Sequence, residues 1–317
     1  MIAGGNHTIT KSIPQSASLT APFTQGSLGR RKRQLDKLEF GKEKGDMMQK
    51  ENLLFWQDKF DTESHLFSTN REQPYLDAEN IDFEMQFNKR TDCLKITRLS
   101  QKGLEHFVQN YGKSCRVLYL YECTQIHDFA PLGELKNLEA IRIEWCRKTN
   151  QLWNMSGNPL LKVLSISDAK KIAENPRLLQ TSKTLEEIRI WGPLSGGMYT
   201  MESLESFQDM KSLRRIDLNW IKLANKSMEV LDTLPNLKEF HFEPGMLTTE
   251  EIAQIVAKYP NLYGDSLRAY DDEYIDIGEV RVCGSRKPTL YLPKQQKRLE
   301  EYIKQFNMLV EKYRENL

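Results

Sequence analysis

The sequence predicts an α/β solenoid, a coil of short units whose strands line up in one parallel sheet. Three observations predict it. A nine-residue pattern with apolar first, fourth and sixth positions recurs at CRVLYLYEC (115–123), LEAIRIEWC (138–146), LKVLSISDA (161–169), LEEIRIWGP (185–193), LRRIDLNWI (213–221) and LKEFHFEPG (237–245). The copies start 23, 23, 24, 28 and 24 residues apart, inside the range of repeat architectures. Within each copy oily and wet side chains alternate with a period of two, the signature of a strand buried on one face.

The elements follow in order. Residues 1–46 are rich in Ser, Thr, Gly and Lys/Arg, lack an apolar period and are expected to be disordered or a non-native polar tail. Lys44-Gly45-Asp46-Met47-Met48 back-translates as AAAGGAGATATGATG, a bacterial ribosome-binding sequence before two start codons, so translation is expected to begin at Met47 or Met48. Residues 47–90 are expected to form an N-terminal cap. TDCLKITRL (91–99) reads as a degraded first copy, and another is expected to follow from Leu262, so that repeats occupy 91–267. Between copies, APLGELKN (130–137) and KSMEVLDTLPN (226–236) carry helix-compatible spacing or irregular turns and are assigned to an outer layer. The 28-residue unit holds Gly192-Pro193 and Gly196-Gly197, which predict a loop there. Residues 268–317 form the C-terminal cap: EVRVCG (279–284) reads as a strand, and Leu299, Ile303, Phe306, Leu309, Val310 and Tyr313 share one face of an amphipathic helix.

Written as L-x-x-L-x-L-x-x-N/C, the six copies resemble the leucine-rich repeat family over a little over half of the chain. The departures fall in the last column, where Cys123 and Cys146 fit but Ala169, Pro193, Ile221 and Gly245 do not. The resemblance implies a right-handed superhelix, horseshoe-shaped, with the parallel sheet on its concave side. It also implies a recognition scaffold, not a reaction.

The alternation places one column of residues on that concave face: Tyr119, Arg142, Ser165, Arg189, Asp217 and His241. A second column holds Tyr121, Glu144, Ser167, Trp191, Asn219 and Glu243, and one step further lie Glu122, Trp145, Asp168, Gly192, Trp220 and Pro244. Three of the five tryptophans fall on or beside one sheet. Trp, Tyr and Arg dominate binding hot spots because they bury large area with few rotors. The expected partner-binding residues are therefore Tyr119, Tyr121, Arg142, Glu144, Trp145, Arg189, Trp191, Asp217, Trp220 and His241. Two uses are open to Trp145 and Trp220: contact with a partner, or packing on neighbouring loops. Mixed charge beside them suits a polypeptide partner, and an aromatic-lined groove also suits a carbohydrate or cell-envelope ligand.

Bulk composition narrows the field. The 317 residues are 39% apolar and 28% charged, within the soluble globular range. Lys plus Arg (45) nearly cancels Asp plus Glu (44), which gives no field to hold nucleic acid. From Met47 onward the counts are 37 basic and 40 acidic. Five cysteines without a CxxC pair read as free thiols, with no metal site and no cofactor. No apolar run reaches the ~20 residues of a membrane helix and no signal peptide is evident, so a cytoplasmic protein is expected, with no membrane partner. His127 and Asp128 are adjacent but lack a nucleophile in a supporting context, and no phosphate loop or dinucleotide fingerprint appears, so no enzyme is expected.

Overall fold

The structure, a computed structural model, describes residues 65–67, 75–87, 92–193 and 196–317. The expected tail (1–46) and most of the expected N-terminal cap lie outside the described residues.

Strands form where the sequence alternates. They are, in chain order, His65–Phe67 (β1), Cys93–Thr97 (β2), Val117–Tyr121 (β3), Ala140–Glu144 (β4), Val163–Ser167 (β5), Glu187–Trp191 (β6), Tyr199–Met201 (β7), Arg215–Asn219 (β8), Ile221–Leu223 (β9), Glu239–Phe242 (β10), Tyr270–Asp271 (β11), Glu279–Val282 (β12) and Thr289–Tyr291 (β13). Five helices accompany them: Ala78–Phe87 (α1), Gln101–Asn110 (α2), Lys170–Glu174 (α3), Thr249–Lys258 (α4) and Gln296–Arg314 (α5).

The protein is of the α/β class. Its main sheet has eight strands in the order β1-β2-β3-β4-β5-β6-β8-β10, every pair parallel, and each strand lies beside the next copy of the pattern. All six sequence copies, and the degraded one before them, supply a strand. Beyond β10 the copy expected from Leu262 shrinks to a single bridge between Glu239 and Tyr263. In the 28-residue unit the chain makes β7, which pairs with β9 in a small second sheet, instead of loop alone.

Register explains the core. Leu118, Ile141, Leu164, Ile188, Ile216 and Phe240 align across the sheet, and so do Leu120, Ile143, Ile166, Ile190, Leu218 and Phe242. All are buried in one cluster. Alternation therefore sends both of these columns to one side, as a parallel ladder in register requires.

The return segments show a different period. Phe129, Leu132, Leu135 and Leu138 are three apart, as are Leu204, Phe207, Met210 and Leu213. After the first residue of each series, every N–H donates to the carbonyl three residues earlier, for example Leu135 to Leu132 at 3.2 Å and Met210 to Phe207 at 3.2 Å. A spacing of three matches the 3-10 helix, with three residues per turn, and not the α-helix. Short 3-10 turns accordingly span Ala130–Glu134, Met155–Gly157, Leu179–Thr181, Glu205–Phe207 and Glu229–Thr233.

Asn158 interrupts the apolar column of these turns. It is fully buried, and its Nδ2 donates to the carbonyls of Leu132 (2.8 Å) and Leu135 (2.9 Å) in the preceding unit. Its Oδ1 accepts from Trp153 Nε1 at 2.7 Å, and the Trp153 ring meets Phe129 edge-on. One side chain thus ties two successive turns and a buried indole together.

At the C-terminal end, α4 opens on a capping box, with Thr248 accepting from the Glu251 N–H and the Glu251 carboxylate accepting from the Thr248 N–H. Strands β11, β12 and β13 form an antiparallel sheet. Helix α5 buries Leu299, Phe306 and Val310 on the face expected from its spacing, with Ile303, Leu309 and Tyr313 packed against the main core.

Candidate functional site

The side of the main sheet away from the core carries the predicted residues. Register aligns Lys95, Tyr119, Arg142, Ser165, Arg189, Asp217 and His241, and beside them Thr97, Tyr121, Glu144, Ser167, Trp191 and Asn219. The chain leaves five strands through a left-handed residue: Arg98 (φ 59°), Glu122 (53°), Trp145 (59°), Asp168 (49°) and Trp220 (56°). This conformation costs an L-residue ~1–2 kcal/mol. At the first four a bond repeated in register offsets it: the exit N–H donates to the last carbonyl of the next strand, as Glu122 does to Glu144 (3.0 Å) and Asp168 to Trp191 (3.1 Å). The tryptophans at 145 and 220 are therefore strand-exit residues, turned out of the ladder.

Two clusters divide the face. Over β2 to β5 it is apolar and aromatic: Cys93, Val117, Tyr119, Ala140 and Val163 form a second small core, with Tyr121 packed against it. Lys95 Nζ lies 4.6 Å from the Tyr119 ring and 4.9 Å from that of Tyr121, and the Arg142 guanidinium lies 4.6 Å from Tyr119. Such contacts let a cation rest on a ring face. Tyr119 Oη (2.6 Å) and Arg142 Nη2 (2.8 Å) both donate to Glu144 Oε2. Burial pushes the Tyr119 phenol up, so it stays a donor. Trp145 stacks on Tyr121, centroids 5.3 Å apart.

Over β6 to β10 the face is ionic. Trp191 Nε1 donates to Asp217 Oδ1 at 3.0 Å, beneath an Arg189 guanidinium 4.7 Å from the indole. Arg189 (3.4 Å) and Arg215 (3.6 Å) both pair with Asp217, and Arg215 reaches Glu239 at 3.3 Å. His241 joins Glu239 at 3.0 Å through Nε2 and Asp265 at 3.1 Å through Nδ1. Both ring nitrogens face a carboxylate, an arrangement that the doubly protonated imidazolium satisfies. Burial opposes the charge on His241, but the bonds to Asp265 and Glu239 outweigh it and its pKa is raised. Glu187 stands beside this network, and burial pushes its carboxyl up to about 7 against the pull of Arg215 and Arg189.

These shifts set a pH dependence. A group whose folded-state pKa is raised stabilises the fold fully below its unfolded pKa, and that stability is lost as pH rises through the folded value. Glu187 and His241 share this sign, so stability is expected to fall as pH rises from 4.5 through about 7 for Glu187, with the His241 part lost above 6.5. Glu187→Gln should remove much of the loss, gaining roughly 1 kcal/mol at pH 8 after screening and nothing at pH 4. Urea midpoints at the two pH values check it, and equal effects at both would refute the assignment.

All ten predicted residues lie along this side or at its strand exits, but not as equal contact groups. Tyr119 and Asp217 are 4% and 5% exposed and act from beneath, holding Glu144, Trp191 and Arg189. Trp220 is 42% exposed and open to contact. Lys95 and Asp265 were missed: Lys95 stands in the degraded copy, whose register with Tyr119 assigns it to the column, and Asp265 follows the last strand. His127 and Asp128 are exposed turn residues whose N–H groups both donate to Gln101 Oε1 at 3.1 Å. The five cysteines are buried thiols outside any disulfide, and burial pushes the Cys283 thiol up to about 12, which suppresses the thiolate. Among the described residues no His, Cys, Asp and Glu side chains group as a metal site, and no helix is long and apolar enough to cross a membrane.

Fold and face together define an α/β protein with a successively paired parallel sheet, one side of which is core and the other a pre-formed aromatic and ionic surface. Comparison of the chain with protein-family models and with curated protein sequences gave no match.

Proposed function

We propose that the chain is a leucine-rich repeat solenoid of horseshoe form, a non-catalytic scaffold that binds a polypeptide partner through the concave side of its sheet, of the adaptor or immunity type. The observation that carries this reading is the division of one face into an aromatic half and an ionic half of both signs. A folded polypeptide offers apolar and charged patches side by side, which such a face complements. The side chains are already held by one another, so less rotamer freedom is lost on docking. A cytoplasmic setting agrees with the buried free thiols.

The test is capture of a partner by the immobilised protein and by two variants. Trp220→Ala removes an exposed indole, and Trp191→Ala with Arg189→Ala opens the ionic half. Each truncated aromatic should cost on the order of 2 kcal/mol, about thirty-fold in affinity. Undiminished capture by both variants, with circular dichroism unchanged, would refute the reading.

A further inference from the structure

We infer that a polar cleft at the carboxyl ends of β4, β5 and β6 receives a carboxylate of the polypeptide partner, from an acidic side chain or a chain end. This rests on the polypeptide reading above and adds the chemistry of one anchor. The cleft encloses about 550 Å3 and is lined by Trp145 and Arg147 after β4, by Asp168, Lys170 and Glu174 after β5, and by Tyr199 of β7. Its volume falls within the roughly 300–1,000 Å3 of ligand pockets.

The lining decides what fits. Asp168 is buried with both oxygens engaged: Oδ2 accepts from Arg147 Nε at 3.0 Å and from Arg147 Nη2, and Oδ1 accepts from Tyr199 Oη at 2.5 Å. Its charge is thus answered within the wall. The donors are not used up. Lys170 is 63% exposed, and its nearest carboxylate, Glu174, stands 3.7 Å away, beyond hydrogen-bond reach. The Arg147 side chain is 66% exposed, and Nε and Nη2 hold it to Asp168, leaving Nη1. The Trp145 side chain lines the same cleft, its ring set against Tyr121, and brings an indole N–H donor. The two cations and two carboxylates of the lining balance in charge, but with Asp168 fully bonded, Arg147 Nη1, the Lys170 ammonium and the Trp145 indole N–H still have donor capacity toward the cleft. A guest that only accepts, and carries negative charge, satisfies them best, and a carboxylate is planar, compact and acceptor-only. The Asp168 bond to Arg147 fixes the guanidinium in advance, so the guest does not have to order it.

The probes are acetyl-Gly-Gly-Glu-amide, acetyl-Gly-Gly-Gly with a free C-terminus, and acetyl-Gly-Gly-Gln-amide as the neutral control. Each is titrated into the full chain while the Trp145 indole N–H resonance is followed by NMR, the peak being assigned by its loss in Trp145→Phe. A carboxylate peptide is expected to shift that peak saturably at millimolar concentration, about ten-fold more tightly than the Gln peptide, and Lys170→Met to weaken it roughly five-fold. The tighter of the two carboxylate peptides identifies the source, side chain or chain end. No saturable shift from either, or an equal response to the Gln peptide, would overturn the cleft assignment. Partner capture is scored on Trp220 and Trp191, away from the titrated peak. A silent cleft beside capture that falls in the Trp220 and Trp191 variants therefore removes the anchor alone, whereas undiminished capture by both variants beside a responsive cleft removes the scaffold reading.

Discussion

Asn158→Leu is expected to destabilise the protein by about 3 kcal/mol, although leucine has the same branching as asparagine and the same number of side-chain heavy atoms. The substitution leaves the Trp153 indole N–H buried without an acceptor, because Asn158 Oδ1 is the partner it has at 2.7 Å. It also strips the Leu132 and Leu135 carbonyls of a second donor each, although the turn's own N–H groups still reach them. Orphaning a buried donor costs roughly 1–3 kcal/mol, and each lost bond adds about 1, while the newly buried methyls return part of it. The measurement is a urea transition, whose midpoint should fall at constant slope. An unmoved midpoint would mean that the tie between the two turns contributes nothing.

Gly192→Ala should be nearly as damaging, at about 2–3 kcal/mol. A β-carbon there would stand 2.3 Å from the Trp220 carbonyl oxygen and 3.0 Å from Trp220 Cβ, so the exit of β8 must move. Gly192 differs from its neighbours in the strand-exit column: at 122, 145, 168 and 220 larger residues take the left-handed conformation. Here glycine is required by close approach. The displaced Trp220 should also change its quenching by acrylamide. Gly197→Ala, where nothing lies within 4 Å, is the control and should leave both readouts alone.

Much of the sheet was legible because a strand buried on one side must alternate. The apolar residues at the fourth and sixth positions of each copy became the two core columns, and the face opposite them followed by elimination. The return segments were less legible. Leu132, Leu135 and Leu138 are compatible with any helix until their spacing of three is weighed against 3.6. Asn158 was missed because a polar residue in an apolar column reads as a loop residue until its three partners are seen. β7, β11 and β13 are two or three residues long, too short for a period to show.

The candidate face was legible as a set of columns but not as a network. Sequence places Tyr119 and Glu144 on neighbouring strands, yet whether a side chain stands up or lies across its neighbours depends on the size of the residues around it. Tyr119 packs into one cluster with Cys93, Val117, Ala140 and Val163 and so becomes buried. Asp217 sinks because two arginines and an indole converge on it. The cleft beside Asp168 was invisible for the same reason: its wall gathers residues as distant as Trp145 and Tyr199, and the Tyr199–Asp168 bond alone spans 31 positions.

The order in which the strands pair has a consequence for how the protein is made. From β2 to β10 each ribbon finds its mate one unit along the chain, 23 to 28 residues away by the spacing of the copies. Closing loops of that length costs nearly the same entropy every time. A chain emerging from the ribosome can therefore settle each rung as soon as the next one has left the exit tunnel, without waiting for its far end.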